Sequence, residues 1–188
     1  MSRLSRPWCR VAGALAPASA RAAFSLLLLG ACTGSLDRPG GLSLEAEFAR
    51  RVEEINQRTG ARQLSLQQLQ ALLGEGKPVL LLDVREAEEF AAGAIPSARL
   101  LPPGQVDEYV PADDDLRIVT YCTAGYRSGR AAASLEKRLG RPVYNLSGGI
   151  ITWFNQGGEV VDSSGKPSHT VHPFNSDWSR FIERKLDH

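Results

Sequence analysis

Residues 78–83 read Pro-Val-Leu-Leu-Leu-Asp, a continuous apolar run that ends on an acid. A run without polar alternation suits a strand covered on both faces, which is the habit of parallel sheets. Residues 117–121, Arg-Ile-Val-Thr-Tyr, read the same way and hand over directly to Cys122. Around these two strands the pattern alternates. Ser65 with Gln68 has capping-box spacing, so a helix opens at Ser65 and carries Leu66, Leu69, Leu72 and Leu73 inward. A short helix is expected over 85–92, a brief strand over 98–101 and a turn-rich excursion over 102–115. A third helix is expected from Ser128 to Leu139, stopped by Gly140. The last strand falls at 142–146, and Ser147-Gly148-Gly149 opens a short helix with Ile150, Ile151, Trp153 and Phe154. Alternating strands and helices imply an α/β fold with a central, mostly parallel sheet. Ligands of such sheets bind beyond the carboxyl ends of the strands. Asp83 and Cys122 both stand at such ends, which marks them as site candidates.

The N-terminal piece differs from this body. The chain of 188 residues has 22 basic and 21 acidic side chains, a balance that gives no reason to expect a nucleic-acid partner. Arg3, Arg6, Arg10 and Arg21 lie in residues 1–31, which hold no acid. After them Ala22 to Leu29 is a short apolar stretch, too short for an ordinary membrane-spanning helix. It ends in Leu29-Gly30-Ala31-Cys32, small residues before a cysteine, which resembles the lipobox of bacterial lipoproteins. That resemblance implies removal of residues 1–31 and acylation of Cys32, palmitate being a typical chain. Each buried methylene would contribute about 0.8 kcal/mol of anchoring. It also implies export, with the domain facing the periplasm. Thr33 stands where an Asp would signal inner-membrane retention, so the outer membrane is favoured. A plain secretory signal is the alternative, though Leu29 suits its cleavage rule poorly.

Residues 33–41 read as a flexible tether rich in small and turn-forming residues. Ser43 can cap a helix whose Leu44, Phe48, Val52 and Ile55 share one face, with Gly60 as its stop. Residues 162–173 read as a polar loop. Ser176 can cap a last helix, with Asp177 in its first turn and Arg184 and Lys185 in its last. Trp178, Phe181 and Ile182 would line one side and dock the tail on the body. His169 and His172 lie in this polar tail without acid or cysteine at ligand spacing, so no metal site is expected. The organisation expected is thus a signal segment (1–31), a tether with the Ser43 helix (32–61), a core domain (62–162) and a tail (163–188).

Of the three cysteines, Cys9 would leave with the signal and Cys32 would carry lipid. Cys122 is then the lone free thiol of an exported chain, either buried and inert or kept for reactivity. Its setting argues for reactivity. The following helix offers unpaired N–H groups and a partial positive charge. Thr123 to Ser128 can form a nest of amides, helped by Gly125, and Arg127 adds a cation. No His lies in the loop, so cysteine–histidine catalysis is poorly supported. Arg127 can pair with Asp83, and Arg85 stands near the same edge. Tyr126 is placed to shape the mouth of a pocket.

These motifs are in the order found in single-domain rhodaneses, which residues 62–162 resemble. Asp83-Val84-Arg85-Glu86 with Glu89-Phe90 and Gly93 to Ala98 is similar to that family's first signature. Cys122 to Ser128 is similar to its active-site loop, and Leu146-Ser147-Gly148-Gly149 with Trp153 to its closing motif. Ala94 stands where the family often has His. The resemblance implies a three-layer α/β/α fold and a sulfurtransferase without cofactor. It implies catalytic roles for Cys122 and Arg127, and substrate contacts from Thr123, Ala124, Gly125, Tyr126, Ser128, Asp83 and Arg85. The expected partners are small sulfur anions, thiols or a protein acceptor. Cys122 to Arg127 spans six residues. Related phosphatases and arsenate reductases use a loop one residue longer, so sulfur is favoured over phosphorus or arsenic. A lipid-anchored binding or sensing module that does not turn over is the remaining alternative.

Overall fold

The computed structural model describes residues 41–76, 78–113 and 115–183. The signal segment, Cys32 and most of the tether lie outside these residues, as do Arg184 and Lys185. Five parallel strands form the sheet: β1 (Arg62–Leu64), β2 (Val79–Asp83), β3 (Arg99–Leu100), β4 (Arg117–Tyr121) and β5 (Val143–Leu146), in the order β1-β5-β4-β2-β3. The two apolar runs are neighbours, with Asp83 in register with Tyr121. Side chains alternate across the sheet. Leu81, Val119 and Tyr121 enter one core with Leu69, Ile150 and Phe154. Leu80, Leu82, Ile118 and Cys122 enter the other, with Ala132 and Leu135. Both faces are therefore covered, as continuous apolar strands require. Burying a side chain such as Leu82, with no exposed area, contributes about 1.5–3 kcal/mol.

Helices form where the capping chemistry puts them. Ser43 caps α1 (Leu44–Thr59) by accepting the Ala46 N–H at 3.1 Å. Ser65 and Gln68 close the capping box of α2 (Leu66–Gly74). The helix α3 (Ala87–Ala92) follows β2, α4 (Tyr126–Leu139) follows β4, and α5 (Gly149–Asn155) follows β5. The helix after Cys122 thus begins two residues earlier than its sequence suggested, because Gly125, at φ 105°, is its cap.

Two segments differ from expectation. β1 pairs with β5 at the sheet edge, although only three residues long; so short an element has no readable period. Residues 162–173 are more than a loop. Strand β6 (Val160–Val161) pairs antiparallel with β7 (Pro167–Ser168) around a turn in which the Asp162 carboxylate accepts N–H groups of Ser164 and Lys166. Val161 also bridges to Ala94, each N–H donating to the other's carbonyl. The Ala94 position is buried under that bridge. The last helix, α6 (Ser176–Ser179), is a single turn capped by Asn175 and not by Ser176. Trp178 and Phe181 stack on Phe48 of α1, with ring centroids 6.4 and 5.4 Å away. Aromatic pairs of this kind are worth about 0.5–1.5 kcal/mol beyond burial. The tail and α1 therefore form one joint layer.

Asp83 ends β2 in a buried ion pair. Arg85 Nε lies 2.9 Å from Oδ1 and Nη2 2.7 Å from Oδ2, and Nη2 also donates to the Gly93 carbonyl at 2.8 Å. Neither side chain has exposed area. Burial alone would disfavour the guanidinium charge, but the Asp83 carboxylate outweighs it and raises the Arg85 pKa. Replacing Arg85 with Ala leaves a buried carboxylate without its partner. That variant should lose about 3–5 kcal/mol of unfolding free energy, read from the denaturant midpoint. A loss under about 1 kcal/mol would show that the pair behaves like an exposed one.

Candidate active site

Cys122 lies at the carboxyl end of β4, in the loop that enters α4, and is 2% exposed. Its Sγ accepts the Gly125 N–H at 3.2 Å. A loop can aim N–H groups inward only if its carbonyls are satisfied elsewhere. Here α5 and β5 satisfy them. Ile150 donates to the Cys122 carbonyl at 2.9 Å and Ile151 to the Thr123 carbonyl at 3.2 Å. Asn145 Nδ2 donates to the Gly125 carbonyl at 3.2 Å. Such an approach excludes a side chain at Gly149. A Cβ there would lie 2.3 Å from the Cys122 carbonyl oxygen, and the φ is 57°. The closing motif read in the sequence is thus the clamp of the cysteine loop.

Arg127 does not pair with Asp83, which Arg85 already occupies. It makes a two-pronged pair with Glu89 of α3, Nη1 to Oε2 at 2.6 Å and Nη2 to Oε1 at 2.7 Å. Its Nη2 also donates to Thr123 Oγ1 at 3.0 Å, and the Thr123 hydroxyl donates to Glu89 at 3.1 Å. Glu89 is 3% exposed. Burial would raise its carboxyl pKa, but the Arg127 hydrogen bonds, the Glu86 N–H and the charges of Arg127 and Arg85 outweigh it. The carboxyl therefore sits below its ordinary value. Arg127 is held charged in turn: burial opposes the charge, while Glu89 and the neighbouring Cys122 outweigh burial. Glu89 escaped sequence reasoning because an acid in a first helical turn looks like a complement to the helix dipole. Its place in the capping box of α3 gives the same impression.

A cleft of about 490 Å³ opens over Cys122. Thr123, Ala124, Tyr126 and Arg127 line it beside the cysteine. The other wall comes from Ile55 and Arg58 of α1 and from Phe174 and Trp178 of the tail. The Arg127 guanidinium lies 4.6 Å from the Phe174 ring centroid. Phe174 has φ 72°, a conformation that costs a bulky residue about 1–2 kcal/mol. The His172 ring accepts its N–H at 3.0 Å. Three assigned contact residues stand elsewhere. Asp83 and Arg85 do not line the cleft and have no exposed area. Ser128 is buried and donates its hydroxyl to Asn145 Oδ1 at 2.6 Å. The geometry gives all three a structural part: Asp83 and Arg85 bond each other, Ser128 bonds Asn145, and of their side-chain polar atoms Arg85 Nη1 is buried without a partner. Gly125 contributes its N–H and not a wall. The α1 and tail residues carried no chemical signal in sequence: Ile55 and Trp178 read as packing, and nothing local singled out Arg58 or Phe174.

Comparison with known proteins agrees with this geometry. Residues 65–156 match the model of the rhodanese-like domain. A sulfurtransferase of Allochromatium vinosum is 37% identical over 107 residues, covering 55% of this chain and 97% of that protein. The chain belongs to the rhodanese family, and sulfurtransferases are among its relatives. A tRNA uridine(34) hydroxylase of Xanthomonas oryzae pv. oryzae is 35% identical over 95 residues, or 46% of this chain. The chain spans only 38% of that enzyme's length. A thiosulfate sulfurtransferase from Pseudomonas aeruginosa superposes with a TM-score of 0.53 at 21% identity, over 72% of this chain and 26% of that one. This last likeness is one of fold.

The lowered Glu89 carboxyl has a signed consequence. A depressed folded pKa gives stability that is present above the unfolded value and lost as pH falls towards the folded one. The advantage of the wild type over Glu89→Gln in unfolding free energy should be full near neutrality and should shrink as pH drops below 4.5. Denaturant titrations of both proteins across that range read it. An advantage that does not change with pH would contradict the assignment.

Proposed function

We propose that the protein is a sulfurtransferase that moves sulfane sulfur through a persulfide on Cys122. The carrying observation is the cysteine itself, set in a six-residue loop whose Gly125 N–H faces Sγ at 3.2 Å. With thiosulfate, the Cys122 thiolate attacks the outer sulfur. The new S–S bond forms as the old one breaks, and its electron pair departs with sulfite. The Cys–S–S⁻ group then carries one negative charge, one atom beyond Sγ. The first-turn N–H groups of α4 have no carbonyl of their own helix to bond. They and the positive helix end are suited to hold that anion. Cyanide or a thiolate attacks the terminal sulfur, and the electron pair of the broken bond returns to Cys122 as thiolate. No proton has to be taken from the donor, so the loop's lack of His is no obstacle. Arg127, tied to Glu89 and Thr123, holds its guanidinium at the cleft wall with its charge largely balanced by Glu89.

The shallow exposure of Cys122, 2%, favours a second reading, an anion- or sulfur-binding module without turnover. One assay separates the two. The full chain should release sulfite from thiosulfate in the presence of cyanide, and Cys122→Ala should abolish it. Equal turnover in the variant would sink the sulfurtransferase reading. A persulfide on Cys122 without turnover would favour the binding module.

We infer in addition that the chain is a lipoprotein anchored at Cys32, with its domain facing the periplasm and the outer membrane as its favoured site. The Leu29-Gly30-Ala31-Cys32 stretch supports this. No helix among the described residues is long and apolar enough to cross a membrane. Mass spectrometry of the native protein should find a diacylglyceryl-modified Cys32 as its first residue. An unmodified start at another residue would overturn the anchor.

A further inference from the structure

The cleft over Cys122 is only half built by the segment that matches the rhodanese-like domain. Ile55, Arg58, Phe174 and Trp178 all lie outside residues 65–156. Two features of this added wall differ from the loop side. The first is charge. Arg127 is spent on Glu89 through two hydrogen bonds and is faced by the Phe174 ring. Arg58, in the last turn of α1, is exposed, and its side chain forms no ion pair or hydrogen bond among the described residues. Among the described residues that line the cleft, it is the cation whose guanidinium is not tied into an ion pair. The second feature is size and apolarity. A cleft near 490 Å³ has room for an organic ligand. Phe174 is 49% exposed over it despite its unfavourable backbone. An aromatic ring held there invites a flat or apolar body.

We propose that the α1 and tail wall selects an organic sulfur anion. Arg58 draws its anionic group, Phe174 and Trp178 cover its apolar body, and its sulfane sulfur reaches Cys122. The inference deepens the sulfurtransferase reading and rests on it. An organic thiosulfonate is the simplest such donor. The Cys122 thiolate attacks its terminal sulfur and an S–S bond forms. The bond from that sulfur to the sulfonyl sulfur breaks, and its electron pair leaves with the organic sulfinate. Charge balances, since two anions give a persulfide anion and a sulfinate.

Two measurements on the full chain test it. The first needs no turnover. Iodoacetate and iodoacetamide share a leaving group and differ in charge, and their rates at Cys122 can be followed on the tryptic peptide 118–127 by mass spectrometry. Arg58→Ala should lower the iodoacetate-to-iodoacetamide rate ratio by about fivefold, the most an exposed charge contact supplies. Arg58→Lys should keep the ratio, and salt near 1 M should compress it in the wild type. A ratio unmoved by Arg58→Ala overturns the inference and leaves sulfur transfer untouched. The second compares donors. The preference in kcat/KM for benzenethiosulfonate over thiosulfate should fall about threefold or more in Phe174→Ala. Phe174→Leu, which keeps bulk without the ring, should lie between. An unchanged preference in both variants overturns the role of the aromatic wall. A wild type inert with both donors overturns the sulfurtransferase reading, and the alkylation ratio then still decides whether Arg58 attracts anions.

Discussion

Two backbone hydrogen bonds hold the site together, from Ile150 and Ile151 of α5 to the carbonyls of Cys122 and Thr123. Every peptide in a tight loop brings an acceptor along with its donor, and a buried carbonyl left unpaired costs about 1–3 kcal/mol. Turning N–H groups towards a sulfur anion is possible only when the carbonyls face something that donates. The amino end of a second helix supplies those donors. Its approach is close enough that Gly149 has no room for a side chain. Asn145 completes the arrangement on the other side, tying Gly125 and Ser128 to β5. Two neighbouring parallel strands, each feeding a helix, bring these parts to one sheet edge.

Charge around the cysteine is largely balanced in pairs. Asp83 with Arg85 fixes the end of β2, and Glu89 with Arg127 fixes the loop side of the cleft. Both pairs are costly to break and neither leaves a free charge. A site organised in this way holds geometry firmly but has little electrostatic pull of its own. That pull is left to the dipole of α4 and to Arg58, which belongs to an added helix. The same division of labour appears in packing. The sheet core takes Val171 and Ile182 from the tail, whereas the outer wall of the cleft is built from α1 and tail residues. The aromatic contacts of Phe48 with Trp178 and Phe181 join the two additions into one layer.

Much of the fold was legible because it is written in period and punctuation. The runs at 79–82 and 118–121, the capping box at Ser65 and the stops at Gly60 and Gly140 are local signals. The cysteine loop was legible for the same reason, since a strand, a cysteine, a glycine and a helix follow one another directly. What stayed hidden depends on contacts between distant segments. The partner of Arg127 could not be read from the chain, because Asp83 and Glu89 are both acids near the same edge. Only the prior claim of Arg85 on Asp83 decides between them. Strands of two or three residues, β1, β6 and β7, are too short to carry a period. Phe174 and Arg58 joined the cleft through tertiary docking, and nothing local to either residue announced it.

The central claim is that Cys122 carries a sulfur atom between donor and acceptor. Incubation with thiosulfate, followed by trapping with an alkylating agent and mass spectrometry of the 118–127 peptide, tests it most directly. The account predicts that this peptide gains the mass of one sulfur atom, and that cyanide added before trapping removes it. A peptide that gains no sulfur, or a sulfur that cyanide cannot remove, would contradict it.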